Sequence, residues 1–385
     1  MGEDVVRYTF RLRPGACAER ALVAEWDRCR FLWNEAVHQQ KSGARPTFGS
    51  LSRLLTDARS RNTWLREGSQ VAKQQTLRTY AQSLAQSFTV KGQGRPKFKA
   101  RKATLPTLEF TRRGFRIHDG RLALPKGISI PVVWSRELPS EPSSVRVIRD
   151  SLGHWYASFV VRREAVPVPE AAGGIGVDWG VTTTATTTDA AFDMPYLGHR
   201  KRCAAELAKA QRTMARRHSG KQSPQSNGYE RAKRQAARLQ KKAARQTAHD
   251  SPVWAKRVVD SHELIAVEDF TPRFLAKSTM ARKAADAAIG GAKRELVERG
   301  VRAGRRVVLV RPAYTSMTCS RCFARAKQRL GLGERVFRCW SCGHTEGRDR
   351  NAAGVVLAVA ERGRTRVDDV SQSVHLPRGV GRVAV

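Results

Sequence analysis

Four of the chain's seven cysteines lie in TCSRC…RCWSC, so Cys319, Cys322, Cys339 and Cys342 form a C-x2-C-x16-C-x2-C array. No other feature narrows the local fold as far. Each pair predicts a tight knuckle that turns two thiolates to one side, and four thiolates complete a closed tetrahedral site for Zn2+. Two reduced pairs without metal, or a redox CxxC, are the plainer readings of the same residues. A closed four-cysteine site holds a fold and performs no chemistry, so this zinc is expected to be structural. His344 is expected to stand outside the ligand set. Arg325, Lys327, Arg329, Arg335 and Arg338 lie between the pairs and give the ribbon a basic surface fit to touch a phosphate backbone. Cys17, Cys29 and Cys203 are scattered, which suits a reducing compartment better than a disulfide framework; the expected location is cytoplasmic and nucleoid-associated.

Charge sets the next constraint. Lys and Arg number 71 against 34 Asp and Glu, a formal charge of +37. Self-repulsion at that level costs stability, so a polyanion is expected to offset it in the working state. Nucleic acid fits, because Lys and Arg neutralise phosphates with release of condensed counterions. An anionic membrane surface is the rival. No run approaches the ~18–20 apolar residues that a membrane span requires. MGEDVVRYTF lacks the basic-then-apolar order of a secretory signal. At 385 residues, 41% of them hydrophobic, two or three domains with buried cores are expected.

Hydrophobic periodicity divides the chain. In residues 5–13, Val6, Tyr8, Phe10 and Leu12 alternate with Arg7, Thr9, Arg11 and Arg13, which predicts a half-buried strand with a basic outer face. Leu22, Trp26, Cys29, Trp33 and Ala36 recur at helical spacing, their aromatic stripe expected in a core. Helical pattern continues from about 50 to 87 before the basic, glycine-containing VKGQGRPKFKARKA, which reads as a linker or a phosphate-contacting loop. FRIHDGRLAL predicts a hairpin turning at Asp119-Gly120, and VRVIRDSLGHWYASFVV a second turning near Asp150 to Gly153. With the first strand they suggest a small β-barrel holding the helices as an insert. Beyond the proline-rich VPVPEAAGG, two β-rich runs flank a turn in IGVDWGVTTTATTTD. Residues 201–250 carry fourteen Lys and Arg against Glu206, Glu230 and Asp250, and predict a basic helical hairpin. HELIAVEDF predicts a buried strand, followed by a helix through about Arg299 and another strand, RRVVLVRP, and NAAGVVLAVAER predicts a short helix. From Gly363 the chain is polar, basic and unpatterned, and disorder is expected.

Three acids stand out by context. Asp178 follows the strand pattern GGIGV, Glu268 ends the apolar LIAV, and Asp349 precedes a helix pattern. Hard oxygen ligands suit Mg2+, and two such ions ~3.5–4 Å apart activate water and stabilise the leaving oxygen of a phosphodiester. On the residues alone each acid has a bland alternative: a strand-ending turn at Asp178, a solvent-facing terminus at Glu268 or Asp269, a helix N-cap at Asp349. Spacing does not bring the three together.

Recognition of the motifs does. FRLRP…CRFLWNEAV, FRIHDGRLALP, the KSTMARKA region, GIGVDWG, IAVEDF, PAYTSMTCSRC…CWSCG and GRDRNAAGVVL follow the order and spacing of the TnpB family, insertion-sequence proteins related to type V CRISPR effectors. The resemblance implies a multi-domain α/β and β fold. Residues 1–14 and 106–168 would form a β-barrel wedge domain, with a helical recognition domain, 15–105, inserted. Residues 170–313 and 345–362 would form an RNase H-like RuvC nuclease domain, interrupted by a zinc ribbon at 314–344 and followed by a disordered tail at 363–385. It implies Asp178, Glu268 and Asp349 as a catalytic triad for two Mg2+ (or Mn2+) ions, with a guide RNA and target double-stranded DNA as partners. It further implies a short adjacent DNA motif read by the N-terminal region. No membrane partner is expected, and the sequence leaves the oligomeric state open, with a monomer favoured. The implied activity is RNA-guided cutting of DNA for a transposon. A compact type V CRISPR effector, a guided regulator that does not cut, and a transposase or junction resolvase acting without RNA are the alternatives. Two positions depart from the family pattern: Trp179 beside Asp178, where leucine is common, and Phe323 after Cys322, where glycine is common.

Overall fold

A computed structural model describes residues 3–90, 92–101, 103–164, 168–220, 223–271, 280–326, 328, 331 and 333–374. Contacts divide the chain into two units, Met1–Val166 and Pro167–Val385.

The first unit runs through β1 (Glu3–Leu12), α1 (Ala16–Lys41), α2 (Phe48–Arg61), α3 (Thr63–Glu67), α4 (Gln70–Thr89), β2 (Thr107–Thr111), β3 (Arg116–His118), β4 (Arg121–Leu124), β5 (Ile128–Val133), β6 (Ser144–Arg149) and β7 (Trp155–Glu164). The strands make one curled seven-stranded sheet in the order β2-β6-β7-β1-β5-β4-β3, with every pair antiparallel. Alternation along β1 puts Phe10 and Leu12, each 2% exposed, in the core, where Phe10 meets Trp134 at 4.7 Å between ring centroids. Asp119 and Gly120 both take positive φ (50° and 69°), the two-residue turn whose twist matches that of its flanking strands. At the second hairpin Asp150 Oδ1 accepts from the N–H groups of Leu152 and His154 at 2.8 and 2.9 Å. The helices are inserted between β1 and β2. Their aromatic stripe is core: Trp33 and Tyr80 meet edge to face at 5.2 Å beside Leu32, Leu51 and Leu77. Part of the basic segment before β2 is pinned to α1. Lys99 N–H donates to Asn34 Oδ1 at 2.8 Å, and the Trp33 indole donates to the Lys97 carbonyl at 2.9 Å.

The second unit contains β8 (Gly174–Trp179), β9 (Thr183–Thr187), β10 (Met194–Pro195), α5 (His199–Arg202), α6 (Ala204–Arg216), α7 (Asn227–Ser261), β11 (Leu264–Glu268), α8 (Ala281–Ala287), α9 (Ile289–Arg302), β12 (Arg306–Val310), β13 (Val336–Arg338), β14 (Thr345–Gly347), α10 (Arg348–Glu361) and α11 (Val367–Val374). Five strands form a mixed sheet in the order β10-β9-β8-β11-β12, in which β8, β11 and β12 run parallel. β11 is buried at every residue, as a central strand covered on both faces must be. Trp254 and Val258 of α7 and Leu296 of α9 share one apolar cluster with Ile175 and Val267, while Val355, Val356 and Val359 of α10 share another with Leu264 and Ala266. The close approach of α10 to β8 requires glycine: a Cβ on Gly176 would lie 2.0 Å from the Ala353 carbonyl oxygen. α6 and α7 lie against each other as the expected basic hairpin.

One expectation fails. Residues 367–374 form α11 where disorder was expected, because Val367 and Val370, three apart and each 1% exposed, join the α10 cluster. Arg325 also pairs with Asp368. Residues 375–385 of that tail, 272–279 (with the start of KSTMARKA) and the ribbon's Lys327 and Arg329 lie outside the described residues. Among the described residues no helix is long and apolar enough to cross a membrane.

Candidate metal centres

The antiparallel pair β13–β14 carries the second cysteine pair between its strands, and each CxxC is closed by a backbone bond. Phe323 N–H donates to the Cys319 carbonyl at 3.0 Å, and Gly343 N–H to the Cys339 carbonyl at 3.1 Å. The four sulfurs converge: Cys319 and Cys342 Sγ are 3.7 Å apart, and Cys322 and Cys339 Sγ 3.5 Å. Zn–S bonds of ~2.3 Å in a tetrahedron require sulfur separations of ~3.8 Å, so this donor set fits zinc. Burial pushes the Cys319 thiol up to about 12. Burial also raises Cys339, but N–H groups of Cys342 and Ser341 aimed at its sulfur prevail and hold it at about 7, favouring the thiolate. His344 stands outside the four, its Nε2 3.3 Å from Glu346 Oε2. Phe323 occupies the left-handed region at φ 59°, the conformation for which glycine is suited. Its ring is 8% exposed, with the Arg362 guanidinium 4.5 Å from its centroid.

The acids sit where strand ends and a helix start come together. Val177 and Val267 are register partners in the parallel pair β8–β11, so Asp178 and Glu268 are neighbours at the ends of adjacent strands. Glu268, 6% exposed, turns inward and accepts from the Thr315 hydroxyl at 3.1 Å. Asp269 faces the other way and pairs with Lys293. Asp349 lies in the first turn of α10, where the helix dipole favours an acid; the N-cap position belongs to Gly347. Asp349 Oδ2 is 3.9 Å from Arg335 Nη1 of the ribbon.

Electrostatics tie the acids together. Burial, then the negative charges of Glu268 and Asp349, push the Asp178 carboxyl well above the usual range, with Arg348 opposing. Glu268 is raised by burial, against bonds from Thr315, Asp178 and Trp179. Among the described residues only the four cysteines bring three or more donor groups within 4.8 Å of one another; the acids are set wider.

Several supporting residues escape a reading of the sequence. The Trp179 indole donates to the Glu268 carbonyl at 3.1 Å and packs against Trp254 at 5.9 Å, fixing the strand that carries the acid. Asn351, fully buried, accepts from Ser320 N–H at 3.0 Å and donates to the Thr318 carbonyl at 2.8 Å, clamping the first knuckle to α10. Arg350 donates to the Thr187 carbonyl at 2.6 Å and to Asp193 at 2.8 Å. Arg350 and Asn351 both lie in the run GRDRNAAG, in which every residue is charged, amide or small.

The chain is similar to known proteins along most of its length. The family model for a probable transposase, OrfB of IS605, matches residues 158–279, and that for the Cas12f1-like TNB domain matches residues 293–356. A Streptomyces pristinaespiralis protein named "Putative RNA-guided DNA endonuclease" is 32% identical over 91% of this chain and 88% of its own length. InsQ of Escherichia coli K12, with the same description, is 26% identical over 91% of each. A Cas12f1 chain solved with sgRNA and target DNA shares the fold, at a TM-score of 0.56 and 12% identity, over 92% of this chain and 98% of that one. The chain belongs to the TnpB family.

Proposed function

We propose that this protein is an RNA-guided DNA endonuclease of a transposon, cutting guide-matched double-stranded DNA through Asp178, Glu268 and Asp349. The observation that carries this reading is the placement of the three acids, two at the ends of the adjacent strands β8 and β11 and the third in the first turn of α10. Carboxylates crowded around a buried Glu268 are costly unless cations neutralise them, so the donor set fits Mg2+ or Mn2+. Bound there, a pair of such ions supplies an activated water and a charge sink for the leaving oxygen. The chain's own part is to hold the carboxylates. Thr315 orients Glu268, the Trp179 indole holds the Glu268 backbone, and α10 carries Asp349 to the site.

In this reading the curled sheet of the first unit is a wedge-type barrel with an inserted recognition domain of α1–α4. The sheet of the second unit is an RNase H-like RuvC domain, and residues 314–344 are a structural zinc ribbon. Base pairing to the guide selects the target, and the basic surfaces hold the heteroduplex by its backbone. With its co-purified RNA, the protein is expected to cleave guide-matched duplex DNA only when Mg2+ is present, and RNase treatment is expected to stop cleavage. Asp349→Ala should abolish cutting while guided binding, measured by filter retention, persists. Equal loss of both would make Asp349 structural, and binding without cutting by the unaltered protein would favour a guided regulator.

A further inference from the structure

One buried carboxylate outside these centres has no part in the chemistry. Asp286 of α8 is 5% exposed. Its Oδ1 accepts from Arg200 N–H at 2.7 Å, and its Oδ2 from Lys201 N–H at 3.0 Å and the Tyr196 hydroxyl at 2.8 Å. Both N–H groups open α5, whose preceding residue is Gly198, left-handed at φ 61° and without a capping side chain. The cap therefore comes from another element. On its far side α5 is held by α7, through His199 Nε2 at 2.6 Å from Asp250 Oδ2. α5 leads directly into α6, so it forms an elbow at the root of the basic hairpin.

α8 leads in turn to the floor of the carboxylate site. Ala287 and Ile289, 3% and 1% exposed, pack in the same cluster as Val177, Trp179 and Val267, which flank Asp178 and Glu268. The junction between α8 and α9 is Ala288, left-handed at φ 52°, a strained conformation for a residue with a Cβ. Gly290 and Gly291 follow in the first turn of α9. The two helices therefore meet at a sharp break in direction and do not form one continuous rod.

We propose that Asp286 is a positioning residue coupling the basic hairpin to the carboxylate site. Nucleic acid seated on α6 and α7 shifts α5, and Asp286 carries the shift through α8 to the strand ends bearing Asp178 and Glu268. The consequence for cutting rests on the nuclease reading; the coupling itself does not. Hydrogen exchange on the full chain, with and without its guide RNA, tests it. RNA is expected to slow exchange in α6–α7 and in α8, and Asp286→Asn to keep the hairpin response while losing that of α8. With guide and target DNA both still bound, the same variant should cut roughly tenfold or more slowly, as displaced catalytic groups do. An α8 that ignores RNA in the unaltered protein, or responds equally in Asp286→Asn, overturns the proposal. If Asp286→Asn does not fold, Tyr196→Phe decides, since an undiminished α8 response there overturns it as well. An α8 response without any DNA cleavage would uphold the coupling and sink the nuclease reading instead.

Discussion

Asp178 and Glu268 are individually unremarkable residues made unusual by where the strand ends place them. Each is raised by burial, and the charge of Glu268 raises Asp178 further. Asp178→Asn removes one of the crowded charges, so in chelator-treated protein it should raise Tm, while the Tm gain on adding Mg2+ should shrink or vanish. Thermal melts with and without Mg2+ check both, and an unchanged Mg2+ response would remove Asp178 from the ligand set. A second residue-scale expectation concerns Lys73 and Lys99, each lowered by burial to about 8 from 10.5. Between pH 8 and 9 the unfolded chain binds more of these two protons, so stability should rise over that interval, until the thiol of Cys29, raised by burial to about 12 from 9.0, begins to oppose it. Urea melts followed by tryptophan fluorescence would show a flat profile if the burial were wrong. Sequence alone left Glu268 and Asp269 undecided. Period-two alternation says that neighbours face opposite ways but not which one faces in; Thr315 and Lys293, distant in the chain, decide it.

Elements with strong local signals were legible. The Asp119-Gly120 turn, the alternation of β1 and the helical stripe of α1 each follow from chemistry within a few residues. α11 was not, because two valines in a polar stretch acquire meaning only against a cluster built by α10. The ribbon spacing was legible too, but its attachment was not: Asn351 lies 31 residues from the Ser320 it clamps. That attachment sets an element-scale expectation. Stripping zinc, or Cys342→Ser, should unfold β13–β14 and also slow DNA cutting, since the knuckle is clamped to the helix bearing Asp349. Cleavage measured after zinc removal in excess Mg2+ tests this; full activity from a metal-stripped ribbon would show that the clamp does not transmit.

At the scale of the whole molecule, the charge of +37 dominates behaviour in solution. RNA and DNA affinity should fall steeply with salt, by roughly 10³–10⁵ between 50 and 200 mM if 6–10 phosphates are contacted. A salt titration with a flat response would mean that the basic surfaces do not touch phosphate. α10 also limits how the protein can be re-engineered. Its first turn carries Asp349, while Asn351 and Gly354 receive the ribbon, with Gly354 leaving no room for a Cβ beside Ser320. Chimeras between relatives that exchange the ribbon but cut the chain at Gly347 would mate two surfaces shaped for different partners. Residues 348–354 have to travel with the ribbon as a single cassette.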